Sequence, residues 1–205
     1  MNIKDLRLRL DHPLLYSTAI IILSILFAIL FLGPFWASLD LHVPGEKWNK
    51  IDFTQPVDSI FYVRNAELGY RWGVSDPTSL WFHPLIAWCI QLVPISLPGN
   101  IKFWILSLIS GLLASLAVYK FTNLITLTPL NPRMILLIPF IPGGIGIATG
   151  NAEIPCLLFT SLLGISVLTK QPLLYPLLFG SLSILTKPNA LYMIPFLFTF
   201  ATVQI

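Results

Sequence analysis

Long uncharged apolar runs, separated by short polar breaks, cover most of the chain. The first run extends over 14–39 and follows a polar start that carries Lys4, Arg7 and Arg9. After Ile101 the breaks are single bases, namely Lys102, Lys120, Arg133, Lys170 and Lys187. A helix needs about 20 mostly apolar residues to cross the hydrocarbon of a bilayer. The pattern therefore predicts an all-α, polytopic transmembrane helical bundle.

The runs also predict the organisation of this single membrane module. We expect a cytoplasmic tail over 1–13, a first transmembrane helix over 14–39, an outer loop with short juxtamembrane helices over 40–101, and further helices over 102–205. Five uncharged runs in the last part predict five more crossings, some of them short and broken by proline, so that the total is about five to six: 103–119, 134–152, 154–169, 171–186 and 188–205.

Composition supports the membrane class. The chain has 56% hydrophobic and only 10% charged residues, whereas soluble domains average about 25% charged residues. The net charge of +3 is spread thinly, which argues against a nucleic-acid partner. Cys89 and Cys156 both lie in apolar surroundings, which predicts buried, inert thiols rather than a disulfide scaffold.

The polar segment 40–80 holds six of the nine acids. Bases before the first crossing favour a cytoplasmic N-terminus, so this segment is expected to face outward from a cell (plasma) membrane. The next segment, 81–97, is apolar but contains Pro84 and Pro94. It could cross the membrane or lie on its surface, and we favour a surface helix because that choice keeps Glu153 on the same side as the loop.

The outer loop contains one candidate general base. If 58–69 is a helix, then Asp58, Tyr62, Asn65 and Gly69 lie along one face of it. Asp58 either caps a solvated helix, where the helix dipole favours a carboxylate, or serves as a general base at the membrane surface.

Other polar residues admit two interpretations as well. Glu153 and Lys187 each stand between apolar runs, either as interfacial termini or as functional charges. His83, in WFHPL, is an interfacial residue or part of a site. No spacing of histidines and cysteines is typical of a metal site, and no phosphate-binding loop is present.

In chain order these residues resemble the GT-C superfamily of membrane glycosyltransferases, which use polyprenyl-phosphate sugars. The loop reads VDSIFYVRNAELGYRWGVSDPTSLWFHPLIAW. Asp58 stands where the family has its catalytic acid, and Ala66 and Gly69-Tyr70 follow at the family's spacing. His83-Pro84-Leu85 is similar to a family step with two prolines. Further on, Glu153 resembles a second acid, and Leu185-Thr186-Lys187-Pro188 resembles an L-T-K-P turn.

The resemblance implies transfer of a mannose-like hexose from a polyprenyl phosphate to an acceptor hydroxyl at the outer face. Asp58 would be the general base, and Glu153 would orient the acceptor or a divalent metal, although no metal ligand and no other cofactor is assigned. The leaving phosphate needs cationic stabilisation. The implied substrate-binding residues are Tyr62, Asn65, Arg64, Arg71, His83, Lys102 and Lys187. The implied partners are membrane lipids, the lipid-linked sugar and a partner chain that completes the bundle.

The chain departs from the family in three ways. It has one acid where many members have an Asp-Glu pair, it has one proline where they have two, and it ends at Ile205 within an apolar run. We therefore expect the N-terminal part of a longer enzyme. The alternatives are a non-catalytic component that binds or transports a lipid-linked sugar, and an inactive fragment.

Overall fold

The structure is a computed structural model, and all of its secondary structure in the described residues is helical. These residues are 12–27, 29–30, 57–69, 84–94, 96–140, 147, 151–187 and 190, with the backbone alone described for 27, 57–60, 139 and 140. Six α-helices and one 3₁₀ helix are present there and no strand, which confirms the all-α class. In chain order they are α1 (Pro13–Phe27), α2 (Val57–Leu68), α3 (Pro84–Leu92), α4 (Gly99–Ile125), the 3₁₀ helix (Pro132–Phe140), α5 (Glu153–Leu168) and α6 (Leu174–Thr186).

The longest helix, α4, forms the centre of the arrangement. It packs against α1, α2, α3, the 3₁₀ helix and α5, and α5 in turn packs against α6. With 27 residues, α4 is about 40 Å long at 1.5 Å per residue. Among the described helices it is the one that is long and apolar enough to cross a membrane.

Small and hydroxyl-bearing residues lie inside the bundle, whereas large apolar side chains cover much of its outside. Ser107, Gly111 and Ser115 share one buried face of α4, and a Cβ on Gly111 would lie 2.9 Å from a methyl group of Ile147. Leu and Ile side chains are exposed along the outer faces of α1 and α6, where Leu174 is 72% exposed. This distribution is typical of helices that pack within a bilayer, because small residues let the backbones approach closely.

Two apolar clusters hold the helices together. The first joins α1, α4, the 3₁₀ helix and α5, and includes Ile20, Ile135 and Ile154. The second joins α2 and α3 to the first turns of α4, and it also includes Ala152, which immediately precedes α5. The second cluster therefore attaches the two short helices at the end of the bundle where α4 and α5 begin.

Several predicted runs differ from the helices that formed. The run predicted over 103–119 is part of a longer helix, because α4 continues past Lys102 and Lys120, whose long stems extend from the helix surface. The run 134–152 contains the 3₁₀ helix instead of a described α-helix of membrane length. α5 and α6 have 16 and 13 residues, and the run 188–205 lies almost wholly outside the described residues.

The segment 81–97 contains the short helix α3. Its nine residues extend about 14 Å at 1.5 Å per residue, which is too short to cross. Ile86, Ala87 and Ile90 are buried against α2 and α4, whereas Trp88 is 47% exposed. The helix thus has one packed face and one open face, and its place on a membrane surface stays a prediction.

Candidate functional site

Helix α2 carries the candidate base, and its extent is close to the predicted one. It covers Val57–Leu68, so that Asp58 stands in its first turn, although the Asp58 side chain lies outside the described residues. Gly69 was expected on the same helical face. It lies instead just beyond the helix end, with a φ of +73°, because the left-handed conformation that glycine adopts without steric cost terminates helices.

The described part of α2 is packed firmly onto the bundle. The ring of Tyr62 is buried and lies 5.6 Å, centroid to centroid, from the ring of Phe103 on α4. The side-chain amide of Gln91 on α3 donates a 2.7 Å hydrogen bond to the carbonyl of Ala66. A Cβ on Gly99 would lie 2.7 Å from a methyl group of Val63, so glycine permits this close approach of α4 to α2.

The first turn of α5 and the residue after α6 meet at the same end of the bundle. Lys187 Nζ donates to Glu153 Oε1 in an ion pair, across 34 positions of sequence. The second carboxylate oxygen, Glu153 Oε2, is buried and accepts no hydrogen bond from the residues that the structure describes. The amide oxygen of Asn151 accepts a 3.5 Å hydrogen bond from the backbone N–H of Glu153, which helps to fix the start of α5.

Polar side chains continue inward from this ion pair along the contact between α5 and α6. The hydroxyl groups of Thr160 and Ser183 are 2.7 Å apart and hydrogen-bonded. The Cys156 sulfur lies 3.7 Å from the Ser183 oxygen and 4.0 Å from that of Thr160. We call Cys156, Thr160 and Ser183 the polar seam. No sequence motif marks the polar seam as a site, although Cys156 and Thr160 follow Glu153 at helical spacing.

The remaining substrate-binding candidates divide into three groups. Asn65 is buried on α2 and Arg64 is half-buried beside it. Lys102 is half-buried, and its Nζ donates a 3.1 Å hydrogen bond to the carbonyl of Val93, just after α3. Arg71 and His83 lie outside the described residues, so their positions relative to the ion pair stay predictions.

The structure thus brings together at one end of the bundle the helix of Asp58, the Glu153–Lys187 pair and Lys102. The link is the second apolar cluster, in which Tyr62, Val63 and Ala66 of α2 share contacts with Ala152, the neighbour of Glu153. Gln91, Phe103 and Asn151 support this end. They carry no charge and follow no motif, so that only the tertiary contacts reveal them.

Two further observations concern metals and thiols. Within the described ranges, no three His, Cys, Asp or Glu side chains lie close enough together to hold a metal ion. Cys89 and Cys156 are free thiols and both are half-buried. Burial raises the pKa of the Cys89 thiol above its ordinary value, because desolvation disfavours the thiolate.

Comparison with protein-family models, with curated proteins and with solved structures gives no match to this chain.

Proposed function

We propose that the chain is a polytopic membrane glycosyltransferase of the GT-C kind, with α1, α5 and α6 joining α4 in the membrane. The exposed leucines and buried serines of these helices support insertion. The two lysines of α4, Lys102 and Lys120, are about 27 Å apart along the helix axis, close to the thickness of the hydrocarbon. Their ammonium groups would then reach the two polar interfaces.

The reaction is transfer of a hexose from a polyprenyl phosphate to an acceptor hydroxyl. One observation carries the proposal: the helix of Asp58 packs beside Ala152, and the adjacent Glu153 is paired with Lys187. Three stretches that resemble GT-C motifs, far apart in sequence, therefore converge at one end of the bundle. Lys102 lies at this end as well, and a second cation there suits an anionic lipid phosphate.

The chemistry assigns a role to each charge. Asp58 accepts the proton of the acceptor hydroxyl as its oxygen attacks the anomeric carbon. The bond from that carbon to the phosphate oxygen breaks, and the polyprenyl phosphate leaves with the electron pair. Lys187 stabilises the charge that develops on the phosphate. Glu153 keeps the ammonium group oriented, and it is a positioning residue for that reason. A single displacement of this kind inverts the anomeric centre.

Transfer from radiolabelled polyprenyl-phosphate sugars tests the proposal. Wild-type protein, reconstituted in lipid, is compared with Asp58→Asn and with the matched variant Glu67→Gln, which removes an exposed carboxylate from the same helix. Loss of one general base lowers turnover by about 100-fold or more. We expect that loss in Asp58→Asn, with turnover retained in Glu67→Gln.

The other outcomes are equally definite. Equal turnover in Asp58→Asn and wild type contradicts the role of Asp58. Saturable donor binding without turnover, in protein with native helical content, contradicts the catalytic proposal and favours a component that binds or carries lipid-linked sugar. Absence of both turnover and binding contradicts the substrate class.

A further inference from the structure

An open groove of about 420 Å³ lies far from the proposed site, between the start of α1 and the last turns of α4. Pro13, Leu116 and Leu124 form an apolar wall, and His12 and Lys120 provide polar groups along it. The groove therefore joins an apolar surface to a positive charge, a combination that suits an amphipathic anion.

The floor of the groove is fixed by hydrogen bonds. The Tyr119 hydroxyl donates a 3.0 Å hydrogen bond to the carbonyl of Leu130. The backbone N–H of Leu130 in turn donates a 2.7 Å hydrogen bond to the side-chain oxygen of Asn123. Both side chains are thereby used to fold the segment after α4 back onto the helix. They therefore determine the shape of the groove, and its other residues would bind a ligand.

Lys120 and His12 are the groups available for recognition. Lys120 is exposed, and in the described part of the chain no carboxylate pairs with it. His12 Nδ1 accepts a 3.3 Å hydrogen bond from the backbone N–H of Leu14. Because Nδ1 is used in this way, Nε2 is the ring nitrogen that can contact an occupant of the groove.

The position of the groove along α4 indicates where an occupant would come from. Lys120 lies 21 positions after Gly99, which corresponds to about 32 Å of helix. With the start of α4 at one face of a bilayer, Lys120 reaches the headgroup level of the other face. Leu116, about one turn before Lys120, then lies at the depth of the first acyl carbons, whereas Leu124, about one turn after it, lies at the headgroup level.

We propose that this groove binds an anionic phospholipid, with its phosphate on Lys120 and His12 and the start of an acyl chain along Leu116. The site is separate from the Glu153–Lys187 end, and the proposal does not depend on the glycosyltransferase reaction. Charge selects an anionic lipid over a zwitterionic one, and the apolar wall selects a lipid over a free phosphate.

Thermal unfolding of the purified chain in mixed micelles tests this. Phosphatidylglycerol is titrated against phosphatidylcholine, with inorganic phosphate at matched ionic strength as a third arm. We expect phosphatidylglycerol alone to raise the unfolding temperature. Lys120→Gln should weaken its apparent affinity about fivefold, the effect of one lysine at an anionic surface, whereas Lys120→Arg should retain it.

Lys170→Gln is the matched control, because Lys170 is an exposed lysine outside the groove. It should leave the affinity for phosphatidylglycerol unchanged. Equal stabilisation by both lipids, or an unchanged affinity in Lys120→Gln with native helical content, overturns the proposal. Equal stabilisation by inorganic phosphate overturns the choice of a lipid as the ligand.

Discussion

The carboxylate of Glu153, in the first turn of α5, forms an ion pair with the ammonium group of Lys187, which directly follows α6. The pair joins the ends of two antiparallel helices that are otherwise held by apolar contacts and the polar seam. Both side chains are partly exposed, Lys187 at 23% and Glu153 at 33%. The pair therefore lies between the surface and buried classes of salt bridge.

A double-mutant cycle should detect this ion pair as a coupling energy. For Glu153→Gln and Lys187→Gln we expect about 1–2 kcal/mol of coupling in the free energy of unfolding, more than an exposed pair gives and less than a buried one. Unfolding in detergent measures it. The cycle of Glu153→Gln with Lys170→Gln serves as the control and should be additive, because Lys170 is roughly 25 Å away along α5. Additivity in both cycles contradicts the pairing.

Sequence alone found Glu153 and Lys187 but not their contact. Each residue stands out as a lone charge at the border of an apolar run, and the sequence pattern defines such borders well. Their pairing depends on the antiparallel packing of α5 against α6, which no local pattern encodes. Gln91 and Phe103, which attach α2 to the bundle, were missed for the same reason.

Helix lengths were predicted less well than helix class. Single bases mark the ends of the predicted runs, yet α4 includes Lys102 and Lys120 because a lysine stem can lie along an apolar helix while its ammonium group reaches water. Gly69 was placed inside a helix that ends one residue before it, because helical spacing alone does not reveal a left-handed terminator. The predicted five to six crossings and the role of Asp58 stay predictions.

The hydrogen bond in the polar seam should stabilise the contact between α5 and α6. Ser183 is buried, and Ser183→Ala removes its 2.7 Å hydrogen bond with Thr160. We expect a loss of about 0.6 kcal/mol, the mean value for hydrogen bonds between membrane helices. Ser181→Ala, at an exposed position of the same helix, is the control and should change stability less. An equal effect of the two variants contradicts the contribution of the seam.

Close packing of α4 on α5 should make Gly164 intolerant of a side chain. A Cβ at Gly164 would lie 2.5 Å from the ring of Phe121, whereas one at Gly180 would have its nearest neighbour, Leu163, at 3.8 Å. Overpacking costs about 1–3 kcal/mol, which outweighs the gain of about 1 kcal/mol in helix propensity from glycine to alanine. We expect Gly164→Ala to lower the free energy of unfolding.

Gly180→Ala is the matched control for this substitution. It has the same gain in propensity without the clash, so it should leave stability unchanged or raise it slightly. Unfolding of both variants in detergent separates packing from propensity. If Gly164→Ala is as stable as Gly180→Ala, then Phe121 moves aside and α4 does not approach α5 as closely as described.

The Cys89 thiol should react slowly in the folded protein. Because burial raises its pKa, less thiolate is present near pH 8 than in the unfolded chain, and the thiolate is the nucleophile. In a Cys156→Ser background, we expect alkylation at about pH 8 to be slower in native detergent micelles than after unfolding. The rate should still be rising with pH beyond the ordinary thiol pKa of about 8.5.

The raised pKa of Cys89 also makes the free energy of unfolding depend on pH. Its stabilising contribution is fully present below the pKa of the unfolded chain and is lost as pH rises through the pKa of the folded protein. Equal alkylation rates before and after unfolding contradict the burial of Cys89 against the bundle.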